Sequence, residues 1–347
     1  MNNHYSTTRA FRLLDDGGDG SSCSQAFAIN DSGAAVGVSV LAGRSRAVFW
    51  EPGGDDLIDL VPDAVAAVAE AVSNAEVVVG TVGIGIKEAL QPPGVVGEEV
   101  LPFVWTRDGG LQVLALPPGA KMGQAIDVNE DGLVLVTGAV PSSGDLPRGL
   151  PVGTFVYDLT EGSYTPLPVP EDAADHLIAL GHTIDASGRV AGGFVTIEGE
   201  FNWRHTPAVW KPGTLESTLL RADDAFVNAC ATADMVAVGW RMVEPGRPPT
   251  AVFWNSPSAE PGSFPGQAAL RVNDAGLVVG IELLPYATGF PFSAALWDIN
   301  GNSTRLEHMG AGSYGYGIND RGDVVGYVVE TNEDGAPASR AAAWPIV

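Results

Sequence analysis

Two short stretches combine an aromatic ring with groups that could carry charge or a proton: Trp203-Arg204-His205 and Trp240-Arg241, the latter followed by Arg247. A histidine can take or give a proton near neutral pH while an adjacent guanidinium orients a carboxylate or enolate. The pattern therefore points to acid–base handling of a small organic molecule. Trp203 and Trp240, with Tyr286 and Phe290 from a third stretch, would supply apolar walls for it. For His205 the competing reading is a surface or structural hydrogen bond. Glu98 and Glu99 could join as acid or base, although adjacent side chains in an extended segment diverge and do not make a dyad. Asp175, His176 and His308 are secondary candidates.

Several chemistries have no support. There is no Gly-x-Gly-x-x-Gly between strand and helix, no phosphate-binding GxxxxGK[ST], no HExxH and no G-x-S-x-G elbow. Nicotinamide, nucleotide, zinc-protease and α/β-hydrolase readings are disfavoured together, and no cofactor is expected. DDGGDG at 15–20 and TNEDG at 331–335 are rich in oxygen ligands, yet neither has the spacing of a calcium loop. Whether a metal is bound stays open.

Composition limits the partners. With 18 Lys and Arg against 42 Asp and Glu, the 347-residue chain carries a formal charge of -24, which repels nucleic acid and anionic membrane. Cys23 and Cys230 are too few for a disulfide framework, and their spacing is no metal signature. No apolar stretch reaches the roughly 18 residues needed to span a bilayer, and the N-terminus lacks a signal-peptide pattern. The expectation is a cytoplasmic protein.

The elements that must position these residues follow from internal repetition. A first half-unit occurs seven times: AFAINDSGAAVGV, AEAVSNAEVVVGT, AIDVNEDGLVLVTG, HTIDASGRVAGG, NACATADMVAVGW, LRVNDAGLVVGI and GYGINDRGDVVGY. Each is followed by a second half closing on an aromatic residue: Trp50, Trp105, Tyr157, Trp210, Trp254, Trp297 and Trp344, spaced 43 to 55 residues apart. Period-two alternation and the Asn-Asp-x-Gly turns predict four short strands per unit, hence an all-β, seven-bladed β-propeller. A glycine in the second strand of nearly every unit would let a tryptophan approach the backbone. The seventh unit ends three residues after Trp344, so residues 10–16 (AFRLLDD) are expected to complete the last blade and close a single domain over 1–347.

The INDSGAAVG…AVFW pattern resembles the HAF-repeat family of bacterial proteins over essentially the whole chain, with SNAE and TADM as departures in units two and five. The resemblance implies a propeller-like repeat fold and transfers no catalytic residue.

In a propeller the second-to-third connection and the blade crossover share a face. The distance from second-strand glycine to closing aromatic varies from 13 to 25 residues, whereas the first turn is nearly constant. The candidates above fall in the elaborated stretches 81–101, 193–206, 240–249 and 281–292, so a binding mouth is expected there. Aligning the units also sets Ala28, Ala71, Asp127, Thr183, Cys230, Arg271 and Gly317 at one inner-strand position, preceded by Phe27, Glu70, Ile126, His182, Ala229, Leu270 and Tyr316. Asp127 and Arg271 would then line the axial channel, as functional groups or as a structural polar plug, and His182 would face the same region or an inter-blade layer.

The reading this supports is a small-molecule-binding propeller. It would be a cofactor-independent cyclase, isomerase, lyase or hydrolase if catalytic. The alternative is a non-catalytic adaptor using the same face for a protein or peptide. A carbohydrate-binding module is a third reading.

Overall fold

Each repeat folds into one antiparallel sheet because its apolar runs alternate with period two between turns that reverse the chain. The structure, a computed structural model, describes all residues except 1–4, 18–22, 42, 55, 84–99, 141–149, 171–176, 198–202, 212, 223–224, 231–236, 244–246, 284–291, 300–301, 310, 332–334, 336 and 347. It is a seven-bladed β-propeller. In blade 1 the strands Ser24–Ile29, Ala35–Leu41, Arg44–Trp50 and Leu57–Asp59 lie side by side in chain order, and blades 2 to 6 repeat that order.

Blade 7 closes as residues 10–16 predict. Its fourth strand is Arg12–Leu13, with Arg12 opposite Ala343 and Leu13 opposite Ala342. The preceding segment adds something the repeat pattern does not announce. Tyr5–Arg9 lies parallel to Ser303–Leu306 as a fifth strand of blade 6, so the N-terminal stretch spans two blades.

The constant turn has a physical reason. The Asn30 side-chain oxygen accepts the Ala34 N–H within its own turn, while its amide donates to the Ser73 carbonyl of the next blade at 3.1 Å. Asn129 donates likewise to Asp185, Asn273 to Asn319, and Asn319 to Asn30, at 3.3, 2.9 and 2.9 Å. A second course runs through the next residue. The N–H groups of Asp274, Asp320, Asp31 and Asn74 donate to the side chains of Asp320, Asp31, Asn74 and Glu130 respectively. Among the described residues these bonds run as an asparagine wheel from blade 6 through blades 7, 1, 2 and 3 to blade 4, and its Asn319–Asn30 spoke joins the last blade to the first.

The core lies between blades. Trp50, Trp210, Trp254, Trp297 and Trp344 are all at most 1% exposed. Four of their indoles, those of Trp50, Trp210, Trp254 and Trp344, donate to the crossover carbonyls of Asp15, Pro168, Arg221 and Glu307, so each of these four pins the chain arriving from the preceding blade.

The second-strand glycines serve a different purpose from the one expected. Every inner strand bulges by one residue, at Phe27, Glu70, Ile126, His182, Asn228, Leu270 and Tyr316. A Cβ at Gly37, Gly80, Gly192 or Gly280 would stand 2.0 to 2.1 Å from the inner-strand carbonyl just before the bulge, and at Gly239 or Gly326 only 1.8 Å. A tryptophan ring presses equally close only at Gly280. The glycines make room for bulged backbone rather than for indoles.

Candidate functional site

Antiparallel order places the second-to-third connections and the crossovers on one face and the asparagine wheel on the other. Part of the elaborated face consists of strand extensions rather than loops. Trp203–Trp210 pairs with Val190–Ile197 as far as Ile197 opposite Trp203, and Ala237–Arg241 pairs with Thr250–Trp254 as far as Arg241. Trp203-Arg204-His205 and Trp240-Arg241 therefore sit on hairpins, which fix them better than loops would. Of eleven exposed large apolar residues among those described, seven stand toward this face: Val65, Val152, Val169, Met242, Val243, Leu283 and Met309.

Where blades 4 and 5 meet, three predicted residues come together. The His205 ring lies 3.7 Å from that of Phe226 between centroids, and Phe226 stacks on Trp240 at 3.8 Å with the planes 13° apart. Phe226 and Trp240 are direct cross-strand partners, so the hairpin itself builds this contact. His182, the bulged residue of blade 4, adjoins the stack. Burial first, then the charges of His205 and Arg271, lower its pKa to about 4, leaving a neutral imidazole at pH 7. Arg204 is exposed on the hairpin, and Arg241 is half-buried at the end of its strand. The Trp203 side chain and the residues Glu98, Glu99, Asp175, His176, Tyr286 and Phe290 lie outside what the structure describes.

The inner-strand alignment holds in six units and slips in the fifth. There the bulge falls at Asn228, so Ala229 and not Cys230 corresponds to Arg271. The turn of that unit lacks Asn-Asp-x-Gly, which removed the landmark for its register. Asp127 clasps two blades. Its carboxylate accepts the Thr183 hydroxyl and the Ile184 N–H at 3.0 Å from blade 4, and its own neighbour's Val128 N–H at 3.0 Å. Burial raises its pKa, with Arg271 and these hydrogen bonds pulling the other way. Arg271 donates to the Leu270 and Asn228 carbonyls at 3.1 and 3.4 Å. With Thr183 it borders an axial cavity of about 180 Å³ that is rimmed on the wheel side by Asp31, Glu130, Asp185 and Asp274.

A second cluster escaped the sequence. Tyr314, Tyr316 and Tyr327 of blade 7 pack together, with Phe27 against Tyr316 and Phe292 against Tyr314. Burial raises all three hydroxyl pKa values. On blade 6, burial opposed by Arg305 lifts Glu282 to about 7. Tyrosines in strands read as core, and Glu282 reads as a solvated strand end, so nothing in the pattern singled them out. Among the described residues no group of three or more His, Cys, Asp or Glu is placed to hold a metal. Asp16, in the first acidic stretch, instead pairs with Arg340 at 2.9 Å.

No protein-family model matches the chain, the HAF repeat included, and none of the curated proteins matches it in sequence. Its fold is nonetheless similar to solved propellers. An oligogalacturonate lyase from Vibrio parahaemolyticus superposes with a TM-score of 0.60 at 11% identity, over 97% of both chains. The β-propeller domain of the Trilobed protease from Pyrococcus furiosus, which has an open velcro topology, gives 0.58 at 11% identity over 93% of this chain and 95% of that one. An oligogalacturonate lyase in complex with manganese gives 0.54 at 12% identity over 97% of both. At such identities the likeness is one of fold.

Proposed function

We propose that the protein binds a small organic molecule on its elaborated face, over the His205–Phe226–Trp240 stack. His205 would serve there as the proton-transfer group, with His182 as a neutral hydrogen-bonding group beside it, in a cofactor-independent cyclisation, isomerisation, elimination or hydrolysis. The observation that carries this reading is the run of stacked rings leading to an imidazole that burial keeps neutral. Arg204 and Arg241 would orient an anionic group of the ligand, and Trp203, Tyr286, Phe290, Glu98 and Glu99 would complete the mouth. Arg271 and Asp127 would set the polarity beneath it. Membership among HAF-repeat proteins belongs to the same proposal, resting on the INDSGAAVG…AVFW pattern.

Native mass spectrometry of protein recovered gently from its source cells tests the reading. The expected result is a bound species of small-molecule mass that is lost in Trp240→Ala, a change that removes the outer ring of the stack. An unliganded mass together with a co-purifying protein would instead support the adaptor reading, which the exposed Val243, at 64%, and its neighbour Met242 favour.

A further inference from the structure

We propose that the seam between blades 7 and 1, on the wheel face opposite the site above, is a pocket for a small organic carboxylate. The cavity there has a volume of about 320 Å³, room for about ten water-sized groups. Its cationic groups are Arg12, from the strand that completes the last blade, and Arg321, from that blade's turn. Arg12 has no ion-pair or hydrogen-bond partner for its guanidinium among the described residues, and lies beside Gly54, 3.6 Å from where a Cβ would stand. Arg321 lies over Gly33, 3.0 Å from that position, and a φ of +91° makes glycine the suited residue there.

The one carboxylate in the cavity wall is already engaged. Asp323 accepts the Ile346 N–H at 2.7 Å, the Asn319 amide at 3.1 Å and Arg321 at 2.8 Å. It fixes the turn and the Arg321 side chain, and no described carboxylate forms an ion pair with Arg12. Two arginines facing one carboxylate is unusual in a chain with 42 acidic and 18 basic side chains. Apart from Ser32, whose hydroxyl donates to the Asn30 side chain, and the glycines Gly33 and Gly53, the rest of the wall is apolar: Ile29, Ala343, Pro345 and Ile346. Cationic groups over an apolar floor select a carboxylate with a compact hydrocarbon body over either a bare inorganic anion or a neutral analogue. Such a ligand would touch the N-terminal strand, the last blade and the first blade at once, and so clasp the ring.

The test uses the full-length protein at constant ionic strength with benzoate, benzamide and inorganic phosphate as probes. It follows thermal unfolding and amide exchange at Arg12–Leu14. Benzoate is expected to raise the unfolding midpoint and slow that exchange, while benzamide and phosphate leave both unchanged. Arg12→Gln, at an exposed strand position, should weaken benzoate at least about tenfold while still folding. Arg321→Gln should weaken it as well. Equal binding of benzamide or phosphate, undiminished binding by Arg12→Gln, or no response to benzoate at about 10 mM would each overturn the proposal.

Discussion

Protonation of His182 and ionisation of Glu282 both oppose folding, so the two groups make stability depend on pH in opposite directions. His182 titrates near 4 in the folded protein and near 6.5 in an unfolded chain, so below pH 6.5 the unfolded state takes up a proton that the folded state refuses. Stability is full above that value and falls toward pH 4, by up to about 1.4 kcal/mol per unit. Glu282 titrates near 7 when folded, so above its ordinary value the unfolded chain releases a proton that the folded protein keeps. Stability is then fullest in acid and falls as pH rises toward 7. Urea unfolding at pH 5 and pH 8 should show His182→Asn losing less in acid than the parent, and Glu282→Gln gaining about 1–2 kcal/mol at pH 8. A parental pH profile in both variants would refute these environments. At this scale the sequence showed the uncommon residues and hid the ordinary ones. His182, His205 and Trp240 stood out as polar or aromatic positions near predicted turns. Phe226 read as core, and Asp127 read as a channel group although it chiefly ties two blades together.

The inner-strand bulge is the element common to all seven blades. It inserts one extra residue into each of the seven inner strands, and His182, Glu70, Asn228 and Tyr316 are the polar or titratable members of that set. The bulge also swings a carbonyl toward the second strand, where a side chain at Gly239 would meet the Phe226 carbonyl at 1.8 Å. Gly239→Ala should therefore cost at least about 2 kcal/mol in equilibrium unfolding and disturb the His205–Phe226–Trp240 stack, read as altered tryptophan fluorescence. An alanine variant as stable as the parent would mean that the bulge is absent. The glycines were plain in the sequence, but their reason was not. Alternation gives the strand and its faces, whereas a one-residue register shift shows only when two strands are paired. Unit five shows the limit most clearly, since without its turn signature the alignment slipped from Ala229 to Cys230.

For the whole molecule, closure is shared between two devices at the same seam. Arg12–Leu13 supplies the missing strand, which the truncated seventh repeat made legible, and the Asn319–Asn30 hydrogen bond completes a wheel that the recurring Asn-Asp-x-Gly foreshadowed only as a turn. The wheel explains why one face stays uniform: among the described residues the turns of blades 6, 7, 1, 2 and 3 are each bound to the turn of the next blade, so a change there is felt twice. The other face is free of that constraint, and it carries both the exposed apolar residues and the stacked rings. The central claim is that this face receives a small molecule. It is tested most directly by covalent footprinting of His205 and Trp240 while source-cell extract, divided by size into low-mass and macromolecular fractions, is added to the protein. Protection of both residues by the low-mass fraction, removed by dialysis, is the predicted result. Protection by the macromolecular fraction alone would contradict it.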